Sequence, residues 1–304
     1  LILSGTDADG HICVNQCIEV IIFNAFVLAY YGKRRKEMLR QPQVSGQFYP
    51  STRDELLKEL DKFIKKNLRK EKAIAIVSPH AGYSYSGTVA AEVFSRIELP
   101  DTIIAIGPNH TGMGPPFSLM SKGTWLTPLG KVCIDEMLAQ EIIEHSQYLK
   151  DDTQAHQYEH SLEVQLPFVQ YFKPEFSFVP IIVADDRLDI LKKVGEELAN
   201  VVMPLKRDIL FLASSDMTHY ESHLNAEKKD KLAIDAILQL DEELLYSRVR
   251  EYDISMCGYA PCIIILVAAK QLGAGKAELV KYQTSAETSG DYNSVVGYAG
   301  ITLK

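Results

Sequence analysis

The chain has 304 residues, 46% hydrophobic and 24% charged, which is enough for a full core in one large domain or two small ones. A net charge of -8 and a pI near 5.5 leave no basic field to hold nucleic acid. Five cysteines without regular spacing do not make a disulfide framework, which points to free thiols in a reducing compartment, the cytoplasm.

Residues 1–37 do not match the rest. Cys17–Tyr31 is apolar but interrupted by Glu19 and Asn24, and the basic run Lys33-Arg34-Arg35-Lys36 follows closely. A spanning helix needs roughly 20 mostly apolar residues, and a signal peptide carries its charge before the apolar part. Three readings compete: a non-native or poorly structured N-terminal extension before Met38, a native element packed on the domain, and a membrane anchor. The first is preferred, and no membrane association is expected. Cys13 and Cys17 have no second ligand pair beside them, so no metal site is assigned there.

From Met38 to Lys304 the pattern predicts a single α/β domain, with a largely parallel or mixed central sheet and helices on both faces. Ser51–Asn67 carries helical apolar spacing at Leu56, Leu57, Leu60, Phe63 and Ile64. Ala73–Val77 reads as a strand, Ser86–Ile97 as a helix and Thr102–Ile106 as a strand, together a βαβ unit. Phe117–Thr127 and Gly130–Ile134 read as short strands, Asp135–Ile143 as a helix, and Ser161–Phe172 as a helix kinked at Pro167. Phe176–Val183 and Asp208–Ser214 are strands separated by a helix over Asp186–Val202. Leu224–Val249 is helical in one or two pieces, Pro261–Leu272 a buried helix, and Ala277–Thr284 and Ser294–Leu303 closing strands.

Three of these apolar runs lead into a histidine. Ala73–Val77 runs into Ser78-Pro79-His80, Thr102–Ile106 into Gly107-Pro108-Asn109-His110, and Ile209–Ala213 into Ser214-Ser215-Asp216-Met217-Thr218-His219. In open α/β sheets the ligand crevice lies past the carboxyl ends of the strands. Imidazoles converging there point to a transition metal. Asp216 and His219 are three apart and share a face if the segment is a helical turn, where the carboxylate orients the ring. Glu159, His160 and Glu163 form a second cluster, read either as a helix cap or as support around the site. His156 and His160 are four apart, but the intervening order is wrong for a zinc-protease motif. Cys257 is a small buried residue or a thiolate at a helix start, and Cys262 is core. No Gly-rich phosphate loop is present, so nucleotide binding has no motif support.

Six segments occur in order: Gln41-Pro42-x-Val44-Ser45-Gly46-x-Phe48-Tyr49-Pro50, Ser-Pro-His-Ala-Gly-Tyr, Gly-Pro-Asn-His, Glu-His-Ser-Leu-Glu, Ser-Ser-Asp-x-x-His and Met-Cys-Gly. Together they resemble the Memo family, whose prokaryotic members include the B protein of the AmmeMemoRadiSam system. The resemblance covers about Met38 to Lys304. It implies a fold like that of class III extradiol dioxygenases, which use non-haem iron. It implies that His80, His110 and Cys257 are metal ligands, and that Asp216 and His219 line the same cleft, with His219 as an acid/base. The dioxygenases use two histidines and a carboxylate; a cysteine here is softer and favours copper(I), zinc or a modified iron site.

The leading expectation is therefore an iron- or copper-dependent oxidoreductase, with zinc as a third metal, acting on a small-molecule substrate. The rival is a non-enzymatic adaptor that binds a peptide or protein partner in a groove lined by Tyr83, Tyr85 and Trp125.

Overall fold

The structure is a computed structural model and describes residues 38–66 and 68–304. The three readings of residues 1–37, and Cys13 and Cys17, lie outside the described residues. The remainder is a single α/β domain around a mixed, open sheet of twelve strands.

Four parallel strands form its centre, in the spatial order Ser177–Val183, Thr102–Pro108, Ile209–Ser214, Ala75–Ser78. Consecutive residues of the last three are all buried, so helices cover both faces, and this is why they read as unbroken apolar runs. Tyr83–Arg96 and Tyr259–Gln271 are the nearest helical cover. The expected βαβ unit exists, but the strand Ile209–Ser214 is inserted between its two strands. That insertion sets the ends carrying His80, the 214–219 segment and His110 side by side.

Antiparallel strands finish both sides. Val295–Leu303 pairs with Ala75–Ser78, and Ala277–Thr284 pairs with Val295–Leu303. At the other side Gly130–Ile134 joins Ser177–Val183 in parallel and Thr124–Thr127 folds back on it. Phe117–Leu119 is not continuous with Thr124–Thr127; it runs antiparallel to Ser177–Val183.

Pro167 does not kink a helix. A 3-10 turn, Glu163–Gln165, leads into the helix Leu166–Phe172, and Pro167 sits in the first turn of that helix. A missing backbone N–H is tolerated there because it would have no intrahelical partner. The Leu224–Val249 region divides into His223–Leu238 and Glu242–Glu251. Asp241 caps the second helix by accepting from Leu244 N. Short strands at Leu39–Arg40, Lys150–Asp151 and His219–Glu221 carry too few residues to show a period, and periodicity did not reveal them. Among the described residues no helix is long and apolar enough to cross a membrane.

Candidate metal centre

His80 and His110 leave the carboxyl ends of their strands and face each other, with ring centroids 5.2 Å apart. His160 joins them from the irregular segment before the 3-10 turn. Its ring lies 4.7 Å from that of His110 at 23°, and 5.6 Å from that of His80 at 87°. One donor atom from each of the three lies within 4.8 Å of the other two. Cys257 Sγ is 3.2 Å from His80 Nε2.

Hydrogen bonds fix which ring nitrogens face this space. The Ser214 hydroxyl donates to the Ser161 carbonyl at 2.6 Å and accepts from Gln165 Nε2 at 2.8 Å. Its remaining contact, 3.0 Å from His80 Nδ1, is therefore also one of acceptance. His80 carries its proton on Nδ1 and presents the Nε2 lone pair to Cys257. Glu159, fully buried, accepts from His110 Nδ1 at 2.9 Å, from His110 N at 2.6 Å and from Ser161 N at 2.8 Å. Burial opposes its charge, but these donors outweigh it and hold the carboxyl at about 2. His110 is therefore also a donor at Nδ1. A carboxylate behind a ligating histidine is the usual way such a ring is oriented and made more basic.

The electrostatics favour neutral rings at His80 and His160 but not at His110. Burial, then the like charges of His110, His160 and His219, push the His80 pKa well below that of an ordinary histidine. Burial also lowers that of His160. At His110 burial acts the same way, but Glu159 outweighs it and the net shift is upward. Burial, then the nearby Asp216, push the Cys257 thiol well above its usual range. A bound cation reverses that preference and draws the thiolate.

Cys257 is placed by its neighbours. Asp216 N donates to its sulfur at 3.3 Å, and Gly258 N donates to Ser215 Oγ at 3.0 Å. A Cβ on Gly258 would lie 2.4 Å from the Ser214 carbonyl oxygen, so only glycine lets the chain pass this close to the strand end.

Asp216 and His219 are both in this region, but not in the expected relation. Residues 215–218 form no helical turn; they have no regular secondary structure. Asp216 Oδ1 accepts from His80 N at 2.7 Å, and burial pushes its carboxyl up to about 6. His219 Nδ1 instead donates to the Ser255 carbonyl at 2.9 Å, which in the neutral ring places the lone pair on Nε2. His219 is near enough for its charge to act on both His80 and Asp216.

The zinc-protease pair that the sequence order spoke against is absent, and one rival expectation fails. His156 does not pair with His160: it is fully buried, 6.1 Å from the Trp125 ring, and neither of its ring nitrogens has a hydrogen-bond partner of normal geometry among the described residues. The aromatic groove does not form either, since Trp125 is wholly buried and Tyr83 is 1% exposed, leaving only Tyr85 at the surface.

The second cluster proves to be three separate devices. Glu159 orients His110, and His160 faces the cleft. Glu163 fastens the 40–49 segment, accepting from Arg40 Nη1, Gln43 N, Val44 N and Tyr49 Oη at 2.6–3.0 Å. That segment places Phe48 edge-on to His160, ring centroids 5.0 Å apart. Two carboxylates flanking one histidine were the only sequence signal of this arrangement.

Glu159→Gln is expected to weaken metal affinity about 10–100-fold while the fold persists, because the amide cannot accept from all three donors. Competition titration with a chromophoric chelator measures this, and an unchanged affinity would remove Glu159 from the site.

The Memo-like protein family matches residues 40–302. The chain belongs to the Memo family. This Memo-family chain is 42% identical over 281 residues to a MEMO1 family protein of Methanopyrus kandleri, covering 88% of the chain and 99% of that protein. It is 44% identical to the MEMO1 family proteins of Aquifex aeolicus (86% and 98% covered) and Methanosarcina barkeri (88% and 100%). In fold it is similar to an uncharacterized protein of Escherichia coli K12, with a TM-score of 0.54 at 13% identity, covering 76% of this chain and all of that one. For Memo-family membership, the six ordered segments were sufficient evidence in the sequence itself.

Proposed function

We propose that this Memo-family protein is a metal-dependent oxidoreductase, with iron or copper held at the carboxyl ends of the central strands. The reading rests on one observation: three imidazoles from distant parts of the chain converge where an α/β sheet keeps its ligand crevice, with the Cys257 thiol beside His80. The donor set fits. Neutral imidazoles with Nδ1 anchored, and a thiol beside them, suit a soft or borderline transition ion and not calcium or magnesium. Around a tetrahedral ion, ligand atoms stand about 3.5 Å apart, near the separation of Cys257 Sγ from His80 Nε2. Such an ion would supply Lewis acidity and one-electron chemistry.

The protein's own groups would do the rest. His80, His110 and Cys257 would hold the ion, with Glu159 and Ser214 keeping the two rings in register. Asp216 would keep His80 and Cys257 placed through its backbone N–H and its carboxylate. His219, with Nδ1 engaged by Ser255, would take a proton from substrate or water at Nε2 and return it. His219→Ala should keep its metal while oxygen consumption with an accepted reductant falls about 100-fold or more. Unchanged turnover in a metal-loaded variant would exclude this role.

A further inference from the structure

We propose that His160 ligates the same ion as His80 and His110, so that three imidazoles and the Cys257 thiolate face one metal. This rests on the metal-site reading above and extends its ligand set by one residue.

Three observations carry it. First, the donor atoms of all three histidines lie within 4.8 Å of one another, close enough for a single ion to hold after a small inward shift of the rings. Second, the carboxylate that anchors His110 also stands behind His160: Glu159 Oε1 is 3.5 Å from His160 Nδ1. One carboxylate thus lies against both rings, hydrogen-bonded to His110 and within ion-pair range of His160, and a carboxylate in that position is usual behind metal-bound imidazoles. Third, the ring is held on its other faces. Phe48 packs edge-on against it, and Glu163 keeps the segment bearing Phe48 in place.

The set has a consequence for Cys257. Two imidazoles and a thiolate lose a third of their donors when the sulfur is removed. Three imidazoles remain a sufficient site without it. His160 therefore makes the thiolate replaceable: Cys257→Ser should retain the ion and change its electronic character. His160→Ala should also retain it, through His80, His110 and Cys257. Removing both should abolish binding.

The test loads Cu2+ alone into the full chain and counts bound imidazoles by pulsed electron paramagnetic resonance. The wild type is expected to show three and His160→Ala two, with affinity weakened about tenfold or more. Cys257→Ser should show three and lose the sulfur charge-transfer band. Cys257→Ser combined with His160→Ala should bind no copper, with its circular dichroism unchanged. Two imidazoles in both wild type and His160→Ala would overturn the role of His160 and leave the metal site standing. A merely supporting His160 could weaken affinity but could not change the count. Wild type that binds no copper or iron would overturn both readings.

Discussion

Glu163→Ala is expected to destabilise the protein by about 3–5 kcal/mol, because it leaves a buried guanidinium without its carboxylate. The Arg40 and Glu163 side chains are almost wholly buried, and their contact is 2.6 Å. Glu163 also takes two backbone N–H groups and the Tyr49 hydroxyl, so four donors lose an acceptor at once. Arg40 would retain bonds to the His156 and Glu159 carbonyls and its seat over Trp125 at 4.0 Å, but no counter-charge. Glu163→Gln keeps the volume and still fails, since half of its amide is a donor facing donors. Combining Arg40→Leu with Glu163→Ala should cost less than the sum of the two single changes, because no charge is then stranded. Denaturant midpoints of the four proteins measure this. A loss below about 1 kcal/mol for Glu163→Ala would mean that water reaches the pair.

The second large effect is acid sensitivity from His156. Burial pushes its pKa down to about 4, outweighing the pull of Asp152 and Glu159 toward the charged ring. In the unfolded chain it titrates near 6.5. Its folded pKa is depressed, so the unfolded state binds the proton first, and stability falls as pH drops from above about 6.5 to about 4. The full loss is about 3 kcal/mol, of which about 2 kcal/mol has gone by pH 5. His156→Leu should remove this share. The gap between variant and wild type, measured by urea unfolding, should widen toward the variant as pH falls from 7.5 to 5. A gap that does not change with pH would show that the ring is hydrated or hydrogen-bonded when folded.

The sheet was legible because its central strands are buried on both faces and therefore write unbroken apolar runs into the sequence. His80 and His110 could be placed for the same reason, each standing directly after such a run. Cys257 could not be placed by pattern, since it follows an irregular segment; it was reached only through the family resemblance. His160 and Glu159 lie between a four-residue helix and a 3-10 turn, where no period exists to say which side chain faces inward. The Asp216–His219 pairing failed because spacing of three means a shared face only in a helix, and this stretch is not helical. Trp125 and Tyr83 were misplaced for a related reason. Large aromatics suit grooves and cores equally, and the burial of Trp125 depends on Arg40 arriving from a two-residue strand that periodicity cannot detect.

The most direct test of the metal centre is the metal content of anaerobically purified protein, for wild type beside His80→Ala and His110→Ala. The expected result is about one iron or copper ion per chain in wild type and clearly less in either variant, with all three folded by circular dichroism. Wild type that neither carries nor takes up an ion, or variants that hold as much as wild type, would contradict it.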